Sequence, residues 1–154
     1  MNRRTEIILQ VNKEAVDFYA KSQELGQLAA KTFSQESDRG RERHRAQMTG
    51  LENIAETTQK WTDVLDYIKK QMARPRGWTK VYDGKSFDES LKNYIEVELP
   101  KVVTRVCNRV QIGDQSYEDQ RDQQQVYLSL IRQFIRQVVV RYEYEASDLE
   151  RVAR

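Results

Sequence analysis

The side chains in this sequence best suited to chemistry are cations. Between Lys69 and Lys85 lie six of them (Lys69, Lys70, Arg74, Arg76, Lys80 and Lys85) against a single acid, Asp83. Trp78 and Tyr82 are interleaved with them. Cations that hold phosphate oxygens, beside flat rings that stack on bases, have the composition of a surface for a nucleic-acid strand. A second set, Lys101, Arg105 and Arg109, recurs every four residues with no acid between, which places it on one helix face. Arg132 and Arg136 repeat that spacing more briefly, flanked by Gln133 and Gln137. Long basic and amide side chains on a rigid helix suit sequence-independent contact with a phosphate backbone. The competing reading makes these stripes solvated helix faces and Trp78 an anchor to the core.

Other chemistries have less to work with. His44 is the single histidine and sits among Arg39, Arg41, Arg43 and Arg45, whose charge disfavours an imidazolium. Arg39 and His44 show the Arg-x4-His spacing of one group of helical ribonucleases, in which the motif lies late in the domain on a core-facing helix. Here it precedes the second helix in a polar segment. Cys107 has no histidine near it in sequence and reads as a small buried residue. One histidine and one cysteine cannot build the usual nitrogen and sulfur metal sites. Asp114, Glu118, Asp119 and Asp122 lack a calcium-loop pattern and suit a helix N-terminus instead. No glycine-rich phosphate loop is present. The expectation is a chain without catalytic residues, metal or cofactor.

These residues need elements to position them, and the composition favours helices. The 154 residues are 38% hydrophobic and 32% charged, with six glycines and two prolines to interrupt them. That balance suits a few long amphipathic helices in one domain, residues 1–154. The 26 basic and 24 acidic residues nearly cancel, leaving a net charge of +2, so placement of charge decides more than its sum. The lone cysteine fits a reducing compartment. The first residues do not read as a signal peptide, and no run reaches the ~20 apolar residues of a membrane span. A cytoplasmic protein without membrane contact is expected.

Ile8, Val11, Ala15, Phe18, Ser22, Leu25 and Ala29 alternate at three and four residues, predicting a first helix over 5–33 with Thr5 as N-cap. Such a seam can also pair with another copy. The polar stretch from Ser34 to Gly40 reads as a loop. From Arg41 a second helix runs to Pro75, with Leu51, Ile54, Thr58, Trp61, Leu65, Ile68 and Met72 on one stripe. Gly50 inside it marks either a close backbone approach or the true helix start. Residues 77–86 have a strand-like composition around Asp83–Gly84, but an isolated hairpin is marginal, which favours an ordered loop. Ser86 with Glu89 forms a capping box for a third helix that Pro100 should kink or split and Gly113 should close. Ser116 with Asp119 opens a last helix through the β-prone Val138–Val140. The fold expected is all-α, an antiparallel bundle of four to five helices with one basic, aromatic loop.

Residues 47–78 carry a family resemblance. Gln47-x3-Leu51, Ile54-Ala55, Val64-x3-Ile68 and Gln71, ending in Arg74 and Trp78, resemble the small all-helical subunit of type III CRISPR effector complexes. The resemblance implies a helical bundle that lines an antiviral ribonucleoprotein as repeated copies. Such subunits touch guide and target RNA through basic side chains and cut nothing themselves. The functional expectation is therefore a non-catalytic subunit that contacts RNA and neighbouring subunits. Its candidate contacts are Lys69, Lys70, Arg74, Arg76, Trp78, Lys80, Lys101, Arg105 and Arg109. The alternative is a helical scaffold that self-associates through the 8–29 seam and binds only protein.

Overall fold

The structure is a computed structural model that describes residues 1–153; Arg154, the last residue of the expected domain, lies outside them. The described residues are all-α apart from one two-stranded hairpin. Its helices are α1 (Arg3–Asp17), α2 (Tyr19–Phe33), α3 (Asp38–Thr57), α4 (Trp61–Ala73), α5 (Phe87–Asn93), α6 (Leu99–Val110) and α7 (Tyr117–Ala153). β1 (Val81–Tyr82) and β2 (Lys85–Ser86) lie between α4 and α5, and a π-helical turn (Tyr94–Glu98) joins α5 to α6.

The 37-residue α7 is the axis on which the rest is assembled. Leu128, Leu130, Ile131, Phe134, Ile135, Val138 and Val139 are all buried on it. Those positions occupy more of the circumference than a one-sided stripe, because α1, α2, α3, α4 and α6 all pack against this helix. Val138–Val140 is helical as the period predicts. α1 and α2 run the same way as α7, with Arg3 of α1 bonded to Asp119, Asn12 of α1 to Gln133 and Gln23 of α2 to Arg141. α3 runs against α7, linking Arg45 to Glu150 at one end and Glu56 to Arg136 at the other.

Several boundaries differ from the sequence reading, each for a local reason. The first helix divides into α1 and α2 at Phe18, and its N-cap is Asn2, whose Oδ1 accepts from Thr5 N at 2.9 Å. Thr5 is therefore already helical. Six of the seven expected seam residues are buried within the chain itself, Ile8 being the exception at 51% exposed. The seam is thus spent on the internal core and does not present a dimer face. α3 starts at Asp38, ahead of Arg41, because Ser37 caps it by accepting from Gly40 N.

The stripe from Leu51 to Met72 crosses a break. Thr58 is extended, with its Oγ1 accepting from Lys60 N at 3.0 Å and donating to Asp63 Oδ2 at 2.5 Å. This threonine ends α3 and secures the first turn of α4, a side-chain alternative to continued helix. Arg132 of α7 takes up the freed carbonyls of Ala55 and Thr58 at 2.8 and 2.5 Å. Gly50 lies inside α3 and is not the helix start; of the two roles expected for it the close approach holds, made by the side chain of Tyr67 against the glycine's backbone. A Cβ there would collide with Tyr67 Oη, and that hydroxyl donates to Gln47 O.

Pro100 does not split the third helix. Leu99 N donates to Tyr94 O, five residues back, so the backbone widens into a π turn immediately before the proline. The widened turn absorbs the missing N–H without interrupting the helical path. α6 ends at Val110, where Gln111 takes the left-handed conformation, rather than at Gly113. The 77–86 stretch forms a short hairpin, not a plain loop, pairing Val81 with Ser86 and Tyr82 with Lys85. Asp83 and Gly84 both have positive φ, 51° and 73°, as a primed turn requires. The hairpin holds because Trp78 before it and Phe87 after it are both buried.

Candidate nucleic-acid interface

The structure sorts the candidate cations by what faces them. Arg105 and Arg109 are not free. Their guanidinium groups close on Glu14 of α1, with Arg105 Nε and Nη2 each 2.8 Å from its carboxylate and Arg109 Nη1 at 3.1 Å. Glu14 is only 1% exposed. The hydrogen bonds from Arg105 hold its carboxyl below the usual carboxylate range, against the opposing effect of burial. The i, i+4 arginines that read as a phosphate stripe are a clamp joining α6 to α1. Lys101, the third member, lies 3.4 Å from Glu98.

The aromatic part of the expected surface is internal. Trp78 is 0% exposed, packed against Phe33, Tyr67 and Phe87, and donates from Nε1 to Gln47 Oε1 at 2.9 Å. It anchors the segment to the core and offers no face to a base. Tyr82 packs against the same core. Two cations of the segment are also engaged, Lys69 with Glu96 at 3.4 Å and Lys80 with Glu36. Arg132 caps α3 as described, and Arg136 pairs with Glu56 at 2.6 Å.

Four of the candidate cations remain. Lys70 at the end of α4, Arg74 and Arg76 in the following turn, and Lys85 on β2 are all exposed. Among the described residues no carboxylate lies within 4 Å of their charged groups. Gly77 fixes the turn that presents the two arginines: its N–H donates to Arg74 O at 3.0 Å.

The other chemistries gain nothing from the geometry. His44 is 0% exposed and stacked on Phe33 with centroids 4.1 Å apart, out of reach of a substrate. Burial is the main influence lowering its pKa, with Glu36 opposing. Burial likewise pushes the Cys107 thiol up and away from the reactive thiolate. Asp119 and Asp122 bind Arg3 at 2.7 and 3.1 Å, and Asp119 also accepts from Gly113 N. Among the described residues no three His, Cys, Asp or Glu side chains converge as a metal site.

Sequence reasoning missed two polar residues that organise the region, Glu14 and Glu36, and gave Gln47 a place only in the family resemblance, not as the acceptor shared by His44 and Trp78. A signal existed for Glu14, which stands three residues after Val11 and four before Phe18, squarely on the apolar stripe. An acid there needs a cationic partner from another helix. The chain matches no protein family, no curated protein and no solved structure.

Proposed function

We propose that the chain is a non-catalytic helical subunit that contacts an RNA backbone within a larger assembly. The contact is made through Lys70, Arg74, Arg76 and Lys85. The observation that supports this reading is the set of exposed cations at the α4–hairpin end with no carboxylate within 4 Å among the described residues, while the cations of the helix stripes are ion-paired or, for Arg132, bonded to backbone carbonyls. Burial of Trp78 narrows the mode of contact to phosphates, without base stacking at that residue. An effector complex of the type III CRISPR kind, in the cytoplasm, is one assembly that uses such a part. The interface comprises these four cations and omits Lys69, Trp78, Lys80, Lys101, Arg105 and Arg109.

The test is an RNA-binding salt titration by fluorescence anisotropy. Four phosphate contacts to a single strand give a slope of log K against log salt of about −3. Arg74→Glu with Arg76→Glu should weaken binding and flatten that slope, whereas a slope near zero for the native chain removes the reading. A protein-only scaffold is favoured by a separate observation: Val16, Tyr19, Val140 and Tyr144 are 75, 53, 56 and 67% exposed. Sedimentation showing a stable oligomer with no RNA affinity would select it.

A further inference from the structure

The segment bearing the proposed interface is anchored to a buried polar cluster that phosphate binding does not use. His44 Nδ1 lies 2.9 Å from Gln47 Oε1, and that same oxygen accepts from Trp78 Nε1 at 2.9 Å. An indole N–H only donates, so the shared atom is the amide oxygen and Nδ1 must carry a hydrogen. The titrating nitrogen is therefore Nε2. It faces Glu36 Oε2 at 2.8 Å, and neither atom has a well-directed hydrogen-bond partner. The imidazole is 0% exposed and the Glu36 side chain 7%.

The surroundings are few and specific. Arg43 of α3 approaches Glu36 Oε2 at 3.6 Å, and Lys80, just before β1, binds Glu36 Oε1. Arg41 touches Glu36 only at its backbone carbonyl, at 2.9 Å, and pairs with Asp38 through its other nitrogen. Phe33 of α2 covers one face of the imidazole, and Tyr142 of α7 packs edge-on against Phe33. Phe87 of α5 adds another ring to the same cluster.

We infer that Glu36 and His44 form one proton-binding unit whose occupancy sets the position of residues 74–86, through Lys80 on one side and through Gln47 and Trp78 on the other. Its consequence for RNA rests on the reading above, but the coupling itself does not. A solvent proton taken up at Nε2 creates an N–H that donates to Glu36 Oε2. The 2.8 Å separation is the one this hydrogen bond requires. With Nε2 bare, two acceptors would face each other, so the carboxylate then turns away toward Lys80; proton uptake draws it back onto the ring and loosens that hold. Burial lowers the pKa of His44, so uptake falls in mild acid. The unfolded chain then takes the proton first, and stability declines as pH drops through about 6.5 toward the folded value.

His44 is the single histidine, so its ring resonances report the unit without assignment ambiguity. NMR titration of the full chain, without RNA, should place its midpoint below about 6.5. Backbone amides of residues 74–86 and the Trp78 indole N–H should move with the same midpoint. Glu36→Gln should lower that midpoint further. Lys80→Met should leave His44 titrating while shrinking the response of residues 79–82. Amides that stay fixed through the His44 titration overturn the inference, as does an unchanged response in Lys80→Met. A midpoint indifferent to Glu36→Gln also overturns it. Loss of RNA binding at all pH values with the coupling intact would instead sink the proposed function alone.

Discussion

Replacing Trp78 with alanine separates the two roles that its sequence neighbourhood offers. The indole is 0% exposed and lies with ring centroids 5.5, 6.3 and 6.4 Å from Phe87, Tyr67 and Phe33. Removing an aromatic side chain of this size from a closed core costs about 3–5 kcal/mol in lost transfer energy and residual cavity. For a chain of 154 residues, each kcal/mol moves the melting temperature by about 2–4 °C, so the drop should be roughly 6–20 °C. Trp78→Phe retains the ring packing but leaves Gln47 Oε1 with His44 as its sole side-chain donor, at about 1 kcal/mol. Thermal unfolding followed by circular dichroism measures both. A Trp78→Ala protein that melts within about 2 °C of the native chain yet loses RNA affinity would show the indole stacking on bases, and would refute this assignment.

Further outcomes follow from the same contacts. Glu14→Gln leaves Arg105 and Arg109 without their shared anion; both are half-exposed, and with solvent screening the loss should be about 1–2 kcal/mol by chemical denaturation. Because the Glu14 pKa is lowered in the folded state, its contribution is present above about pH 4.5 and is lost as pH falls through the folded value. The stability gap between native and Glu14→Gln proteins should therefore close in strong acid. Arg105→Glu should destabilise the fold while leaving the salt dependence of RNA binding unchanged, in contrast to Arg74→Glu with Arg76→Glu. Arg132→Met strips the carbonyls of Ala55 and Thr58 of their side-chain donor, and hydrogen exchange should quicken at the α3–α4 junction for about 1–2 kcal/mol of lost protection.

Helical class was legible in the sequence because it follows from local periodicity. The spacing of Val11, Ala15, Phe18 and Leu25 fixes a buried face whatever that face packs against, and all four are buried. The capping role of Ser86 was legible for the same reason, since its acceptor contact with Glu89 N spans three residues. Breaks at Thr58 and Pro100 were less legible. One depends on a threonine hydroxyl choosing Asp63 over its own helix, the other on a π turn that the proline alone does not specify.

Charge was the property that only tertiary structure decided. Arg74 and Arg105 look alike in the sequence, each a cation among cations. Folding brings Glu14 from 91 residues away onto Arg105 and, among the described residues, brings no carboxylate to Arg74. An ion pair is a contact between distant segments, and helical spacing carries no information about which acid will arrive. The same holds for Trp78, whose aromatic surface is available or spent according to whether Phe33, Tyr67 and Phe87 close around it. Helical spacing sets which faces are apolar and where basic residues cluster; the packing of α1, α3 and α6 around α7 sets which of those residues remain free to meet a partner.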